Sequence, residues 1–313
     1  MHVPDGFLDL KTAAATGVLS TAALAVSLRR LNVSLPRKNV PLMGLAGAFV
    51  FAAQMVNFPV AGGTSGHLIG GVLVAVLLGP AAGVLIMASV LIVQCLLFAD
   101  GGILALGANV FNMGVISSAG GYAIFRGISL LVRGDRGKYL GIILAAWCST
   151  VIAAVCCAGE LAWSGTVSWD AAFPAMANVH MLIALGEAVI TALVYSAIAA
   201  VRPELTAGES PATRSGKDLL LYGGMIAVGV VLFITPFAST WPDGLEAVAG
   251  RLGFRTSSLA HPPLSSPLAE YTIPGIGSPA AATVIAGLAG TCIVFAAGLV
   301  VARVLARRGG REA

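Results

Sequence analysis

Nine long apolar runs dominate this chain: residues 12–27, 40–58, 67–78, 81–98, 103–125, 139–159, 176–201, 219–237 and 279–302. Most approach the ~20 residues a helix needs to cross a hydrocarbon layer, where each backbone N–H and C=O must be paired within its own segment. Such a chain is expected to fold as an all-α membrane protein with about nine transmembrane helices. Charged residues make up only 10% of the 313 residues, against roughly 25% in a soluble domain. The lipid bilayer is the expected surrounding, and no nucleic-acid partner is expected. The first twelve residues are too polar to read as a signal peptide.

The run at 67–78 is short, and Gly79-Pro80 separates it from the next. Charge decides whether it crosses alone or joins its neighbour. With nine spans and the N-terminus outside, the inner segments hold Arg29, Arg30, Arg37, Lys38, Arg126, Arg133, Arg136, Lys138, Arg202, Arg214, Lys217, Arg303, Arg307, Arg308 and Arg311. Those are fifteen of the eighteen basic residues. Merging the short run with its neighbour would move the clusters at 126–138 and 202–218 to the other face. The positive-inside rule favours the split and a cytoplasmic C-terminus, in a bacterial or archaeal plasma membrane. The outer segments then hold more acids than bases, including Asp5, Asp100, Glu160, Asp243 and Glu270, which attracts cations.

The organisation reads as residues 1–201 with seven spans, a polar cytoplasmic linker at 202–218, and residues 219–313 with two spans. These last two are joined by an outer loop, 238–278, rich in Pro, Ser and Gly. The five cysteines show no paired spacing and read as small apolar packing groups. Gly44, Ala48 and Ala52, spaced by four, let another helix approach the second span, from this chain or a partner.

The chain begins Met1-His2-Val3-Pro4-Asp5-Gly6-Phe7-Leu8. A free Met1 amine, the His2 amide nitrogen and the His2 imidazole can close two fused rings on one cation. The ammonium and the amide must each lose a proton. Nickel or copper can drive that; magnesium and calcium, which prefer oxygen, cannot. Proline at position 2 would have no N–H to lose; here it stands at position 4. His67 lies in the glycine-rich stretch Gly62-Gly63-Thr64-Ser65-Gly66-His67-Leu68-Ile69-Gly70-Gly71. It either bonds loop backbone or adds a fourth nitrogen. Four nitrogens in a plane suit Ni(II) or Cu(II).

These motifs, with Gly107-Ala108-Asn109-Val110-Phe111-Asn112-Met113-Gly114, resemble the M component of the nickel/cobalt transporters of the energy-coupling-factor class. Pro242-Asp243-Gly244-Leu245-Glu246 resembles the small N component of the nickel members, here fused to M. The resemblance implies a metal site of Met1, His2 and His67 with Ni(II), or alternatively Co(II), as transported substrate. It also implies a separate transmembrane coupling subunit and a pair of cytoplasmic ATPases. The chain itself lacks the phosphate loop for ATP hydrolysis: Arg214-Ser215-Gly216-Lys217 is followed by Asp218 rather than Ser or Thr.

Other polar groups lie within or near the spans. His180 and Glu187, seven apart, share a helix face. They are expected to orient a ligand, for example by accepting the distal N–H of a metal-bound imidazole, or to bond another helix. Asn57, Asn109 and Asn112 have the same two readings. A self-sufficient carrier using His180 and Glu187 as a proton relay is the alternative to an importer subunit. No His-Glu-x-x-His stretch supports an intramembrane protease. His261 is expected in an exposed loop.

Overall fold

The computed structural model describes residues 1–34, 39–206, 216–258, 263 and 265–309. The protein is an all-α membrane protein. Its elements are α1 (Leu10–Ser34), α2 (Val40–Gln54), a hairpin of β1 (Phe58–Val60) and β2 (Thr64–Gly66), α3 (Gly71–Leu78) and α4 (Pro80–Phe98). They continue with α5 (Leu106–Leu131), α6 (Asp135–Trp163), α7 (Trp169–Val201), α8 (Gly216–Phe233), α9 (Gly244–Leu252) and α10 (Pro279–Gly309). The last turn of α4, Gln94–Phe98, and the stretch Val110–Gly120 of α5 are π-wound.

Among the described residues, seven helices are long and apolar enough to cross a membrane. α2 has 15 residues and α3 only 8. The expected span at 67–78 is thus corrected: residues 67–70 are not helical, and the helix that follows is too short to cross a membrane by itself. Glycine sets both ends. Gly70 precedes α3 with φ 83°, and Gly79 follows it with φ 89°, a region other residues avoid. Pro80 then opens α4, where its missing N–H costs nothing.

Two buried amides show which way these helices run. The Gln94 side chain donates to Gln54 Oε1 (2.8 Å), and the Gln54 side chain donates to the Ile69 carbonyl (2.9 Å). The end of α2, the approach to α3 and the end of α4 therefore meet, so α3 leads away from this junction and α4 returns to it. The same end of the bundle gathers the N-terminal segment, the start of α5 and the end of α6. It also receives the segment after α8, where Ser239 N–H donates to the Asn57 carbonyl at 2.7 Å. Arg29, Arg126, Arg136, Lys138 and Arg303 lie toward the other ends of their helices, with Arg133 between α5 and α6 and Arg202 just after α7. Arg37, Lys38, Arg214, Arg311, most of the linker and His261 lie outside the described residues.

The C-terminal helices pack on the N-terminal part. A Cβ on Gly44 of α2 would stand 2.9 Å from the Phe295 carbonyl and from Leu299 of α10. The small-residue stripe of α2 thus receives a helix of the same chain. One continuous core runs through Phe51, Val90, Phe98, Leu245 and Val294.

Candidate functional site

The first nine residues precede α1 and are buried on alternate positions: Met1, Val3, Asp5 and Phe7. The segment is a strap that runs without regular structure to Pro4 and turns at residues 5–8, where Gly6 has φ 94°, and each buried residue has an anchor. Val3 N–H donates to Asn109 Oδ1 (2.7 Å), while the Asn109 amide and Gly102 N–H donate back to the Val3 carbonyl (3.1 and 2.9 Å). The Asp5 carboxylate accepts the N–H groups of Ile103 and Leu104 (3.1 and 2.8 Å). Thr166 donates to the Phe7 carbonyl. Gly102 must be glycine, because a Cβ there would collide with the Asp5 carboxylate.

This strap delivers Met1 and His2 to His67. The Met1 nitrogen lies 2.9 Å from His67 Nε2 and 2.8 Å from Asp243 Oδ2. The His2 and His67 rings stack, with centroids 5.2 Å apart and planes 21° apart. His2 Nδ1 is 3.0 Å from Asp100 Oδ1, and its Nε2 is 3.3 Å from Gln94 Oε1. His67 Nδ1 lies 3.0 Å from the Leu68 carbonyl. A carbonyl only accepts, so Nδ1 carries the proton and Nε2 offers its lone pair to the amine. Tyr271 donates from its hydroxyl to Asp100 Oδ2 (2.8 Å), fixing that carboxylate.

The electrostatics follow. Burial pushes His67 down to about 3, and the neighbouring ammonium and His2 add to the effect. Burial alone would raise Asp100, but the charge and hydrogen bond of His2 hold it well below the usual carboxylate range. Burial would raise Asp243 too, yet the Met1 ammonium and the Glu246 N–H hold it down. Above the cluster opens a cavity of about 920 Å³, bounded by His2, His67, Asp100, Asp243, Arg255 and Glu270.

The loop carrying His67 is held from beneath. Glu187 accepts the N–H groups of Ile69 (2.6 Å) and Gly70 (2.9 Å) through separate oxygens. His180 Nδ1 bonds the Met176 carbonyl of its own helix at 2.8 Å. Neither side chain bonds an imidazole of the cluster; the distal nitrogen of His67 is on a carbonyl. Glu187 instead acts through the loop backbone. Asn109 acts through Val3. Asn112 pairs with Glu160 (2.7 Å), away from the two histidines, and Asn57 lines the cavity. Gln54, Gln94, Asp100 and Asp243 were not singled out from the sequence as site residues. The two glutamines carried a signal, each a lone amide in an apolar run. Among the described residues no three His, Cys, Asp or Glu side chains form a ready-made metal-ligand group.

The chain is similar to known proteins along most of its length. Residues 2–205 match the model of the cobalt uptake substrate-specific transmembrane region, and residues 217–307 match the PDGLE domain. A protein of Archaeoglobus fulgidus described as a fused nickel transport protein, NikMN, is 40% identical over 97% of this chain and 98% of its own length. The fused nickel transport protein NikMN of Rhodobacter capsulatus is 30% identical, over 99% of this chain and all of its own. A crystal structure of a truncated transition metal transporter superposes with a TM-score of 0.58 at 36% identity, covering 64% of this chain and 99% of that one. With a membrane fold and these two matches end to end, the chain is a transporter subunit and belongs to the family in which a cobalt uptake transmembrane region is fused to a PDGLE domain.

Proposed function

We propose that this protein captures Ni(II) as a transport substrate through four nitrogens: the Met1 amine, the His2 amide and imidazole, and His67 Nε2. The observation that carries this reading is the 2.9 Å separation of the Met1 nitrogen from His67 Nε2. Four nitrogens bonded at ~2 Å around one ion form a square whose edge is about 2.8 Å. The two groups already stand at that spacing. The amine and amide close a five-membered ring on the ion, and the amide and His2 Nδ1 close a six-membered one. His2 Nδ1 exchanges Asp100 for the metal. A deprotonated amide supplies a strong ligand field, which suits a d8 ion in a plane; Co(II) more often takes extra or tetrahedral ligands. Relatives named for cobalt transport exist alongside those named for nickel, so the choice between the two ions is a direct outcome of the test.

The capture site faces outward, and residues 1–201 supply its nitrogens. Linker 202–218 leads to residues 219–313, which close over the site. Import is driven by a separate transmembrane coupling subunit and a cytoplasmic ATPase pair, since this chain has no phosphate loop. Both oxygens of Glu187 are engaged by loop amides, which favours this importer reading over a proton relay through His180 and Glu187.

The test is metal content and spectrum of the purified chain with its native amino terminus. One nickel per chain with a diamagnetic, yellow-orange spectrum supports the reading. A six-coordinate paramagnetic spectrum, or a preference for cobalt when both are offered, overturns the nickel assignment. Residues added before Met1 and left uncleaved should abolish tight binding, whereas a C-terminal tag should not; unchanged affinity in the extended chain overturns the chelate.

A further inference from the structure

Pro242-Asp243-Gly244-Leu245-Glu246 lies against the histidine cluster without offering it a nitrogen. Each of its five residues is fixed by a different contact. The Pro242 carbonyl accepts Ser65 N–H (2.8 Å), and Ser65 Oγ donates to the Trp241 carbonyl (2.7 Å). This docks the motif on β2, the strand that leads to His67. Asp243 is the N-cap of α9: its Oδ1 accepts Glu246 N–H (2.8 Å), and Glu246 Oε2 accepts Asp243 N–H (3.2 Å). That reciprocal pair, a capping box, fixes the carboxylate's rotation. Gly244 lets α9 approach α7, since a Cβ there would stand 2.8 Å from the His180 ring and from Ile183. Leu245 is fully buried. With Oδ1 committed to the helix, Oδ2 is aimed at the Met1 nitrogen at 2.8 Å.

We propose that Asp243 is a positioning residue for metal capture: it is the partly buried counter-ion that holds the Met1 amine against His67. This rests on the reading of that amine as a ligand. The Met1 side chain is 3% exposed and that of Asp243 15%, and the amine's contact with His67 is buried, so loss of the carboxylate would leave a largely buried cation without its counter-ion, a costly state. The strap would relieve it by moving the amine toward water. The acid serves after capture as well. A divalent ion holding one deprotonated amide carries net +1, the same as the ammonium it replaces, and the same carboxylate balances both.

The experiment uses the full-length chain with its native terminus and the variant Asp243→Asn. Asparagine caps a helix as well as aspartate does, so α9 is retained while the charge is removed. In the metal-free protein, acylation of the Met1 amine by a small activated ester is followed by mass spectrometry. The Asn variant is expected to react about tenfold faster, and Asp243→Glu, which keeps the charge, to restore most of the protection. Nickel alone is then titrated. The Asn variant is expected to bind about tenfold more weakly, with the nickel absorption band unmoved because the ligands are unchanged. Wild-type acylation and nickel affinity in the Asn variant overturn the proposal. Parallel titration of His67→Ala separates the two ideas: wild-type affinity there overturns the capture reading, while the acylation rates still decide whether Asp243 guards the amine. If Asp243→Asn does not fold, Asp243→Ser, another uncharged cap, is measured in the same way.

Discussion

Asn109 shows how a single side chain sets the position of the amino-terminal end, the proposed metal-capturing group. Its oxygen and nitrogen both bond Val3, two residues from the amine and one from His2. Asn109→Ala leaves a buried Val3 N–H without its acceptor, at a cost of about 1–3 kcal/mol. The expected result is a lower unfolding midpoint and weaker nickel binding with an unmoved spectrum; a wild-type titration would rule out the strap's role. His2→Ala and His67→Ala remove proposed ligands and should each cost most of the nickel affinity, whereas His261→Ala should cost little. Acid should act on folding as well. Unfolded His67 takes a proton near pH 6.5, but the folded residue resists until about 3. The unfolded state therefore binds more protons across that window, and stability falls as pH falls through it. A metal-free midpoint that shifts between pH 7 and pH 5 by the same amount in the wild type and in His67→Ala would contradict this. Met1, His2 and His67 were legible because the amine, amide and imidazole are chain neighbours and glycines frame the third residue. Asp100 and Asp243 were not: each reaches the cluster from a distant helix end, and only folding pairs them with His2 and Met1.

The loop from His67 to Gly70 is an element that periodicity could not reveal. The run 67–78 is apolar throughout and reads as one helix, yet its first four residues bond outward to α7 and α2 instead of along a helix. Glu187 stands in for the missing helical acceptors of Ile69 and Gly70. Glu187→Ala should leave two buried N–H groups unpaired and cost about 2–3 kcal/mol. Glu187→Gln, which keeps one acceptor oxygen, should cost less. Equal denaturation midpoints for wild type and Glu187→Ala would show that the loop holds itself. The apolar runs located every long helix, because burial in lipid demands them. They could not show the β1–β2 hairpin or α9, which are short and depend on partners. α9 lies inside the loop 238–278, whose Pro, Ser and Gly content masks it; the capping box of Asp243 and Glu246 and the burial of Leu245 form it.

At the scale of the whole molecule, the passes alternate so that the histidine cluster occupies one end and most basic residues the other. Positive charge on short connecting segments is retained on the cytoplasmic face during insertion. The cluster should therefore face outward, where a nutrient cation arrives, and the ends carrying Arg126, Arg133, Arg136 and Lys138 should face the ATPases. Single cysteines test this in intact cells, in a background where the native cysteines are replaced. Ser257 is exposed beside α9 at the cluster end, and Asp135 is exposed at the start of α6 at the other. Neither substitution removes a basic residue, so the topology signal is intact. A membrane-impermeant thiol reagent should label Ser257→Cys in whole cells and reach Asp135→Cys only after the cells are opened. The reverse pattern would put the amine on the cytoplasmic side, and a chain so oriented would bind its ion for export or sensing rather than for uptake.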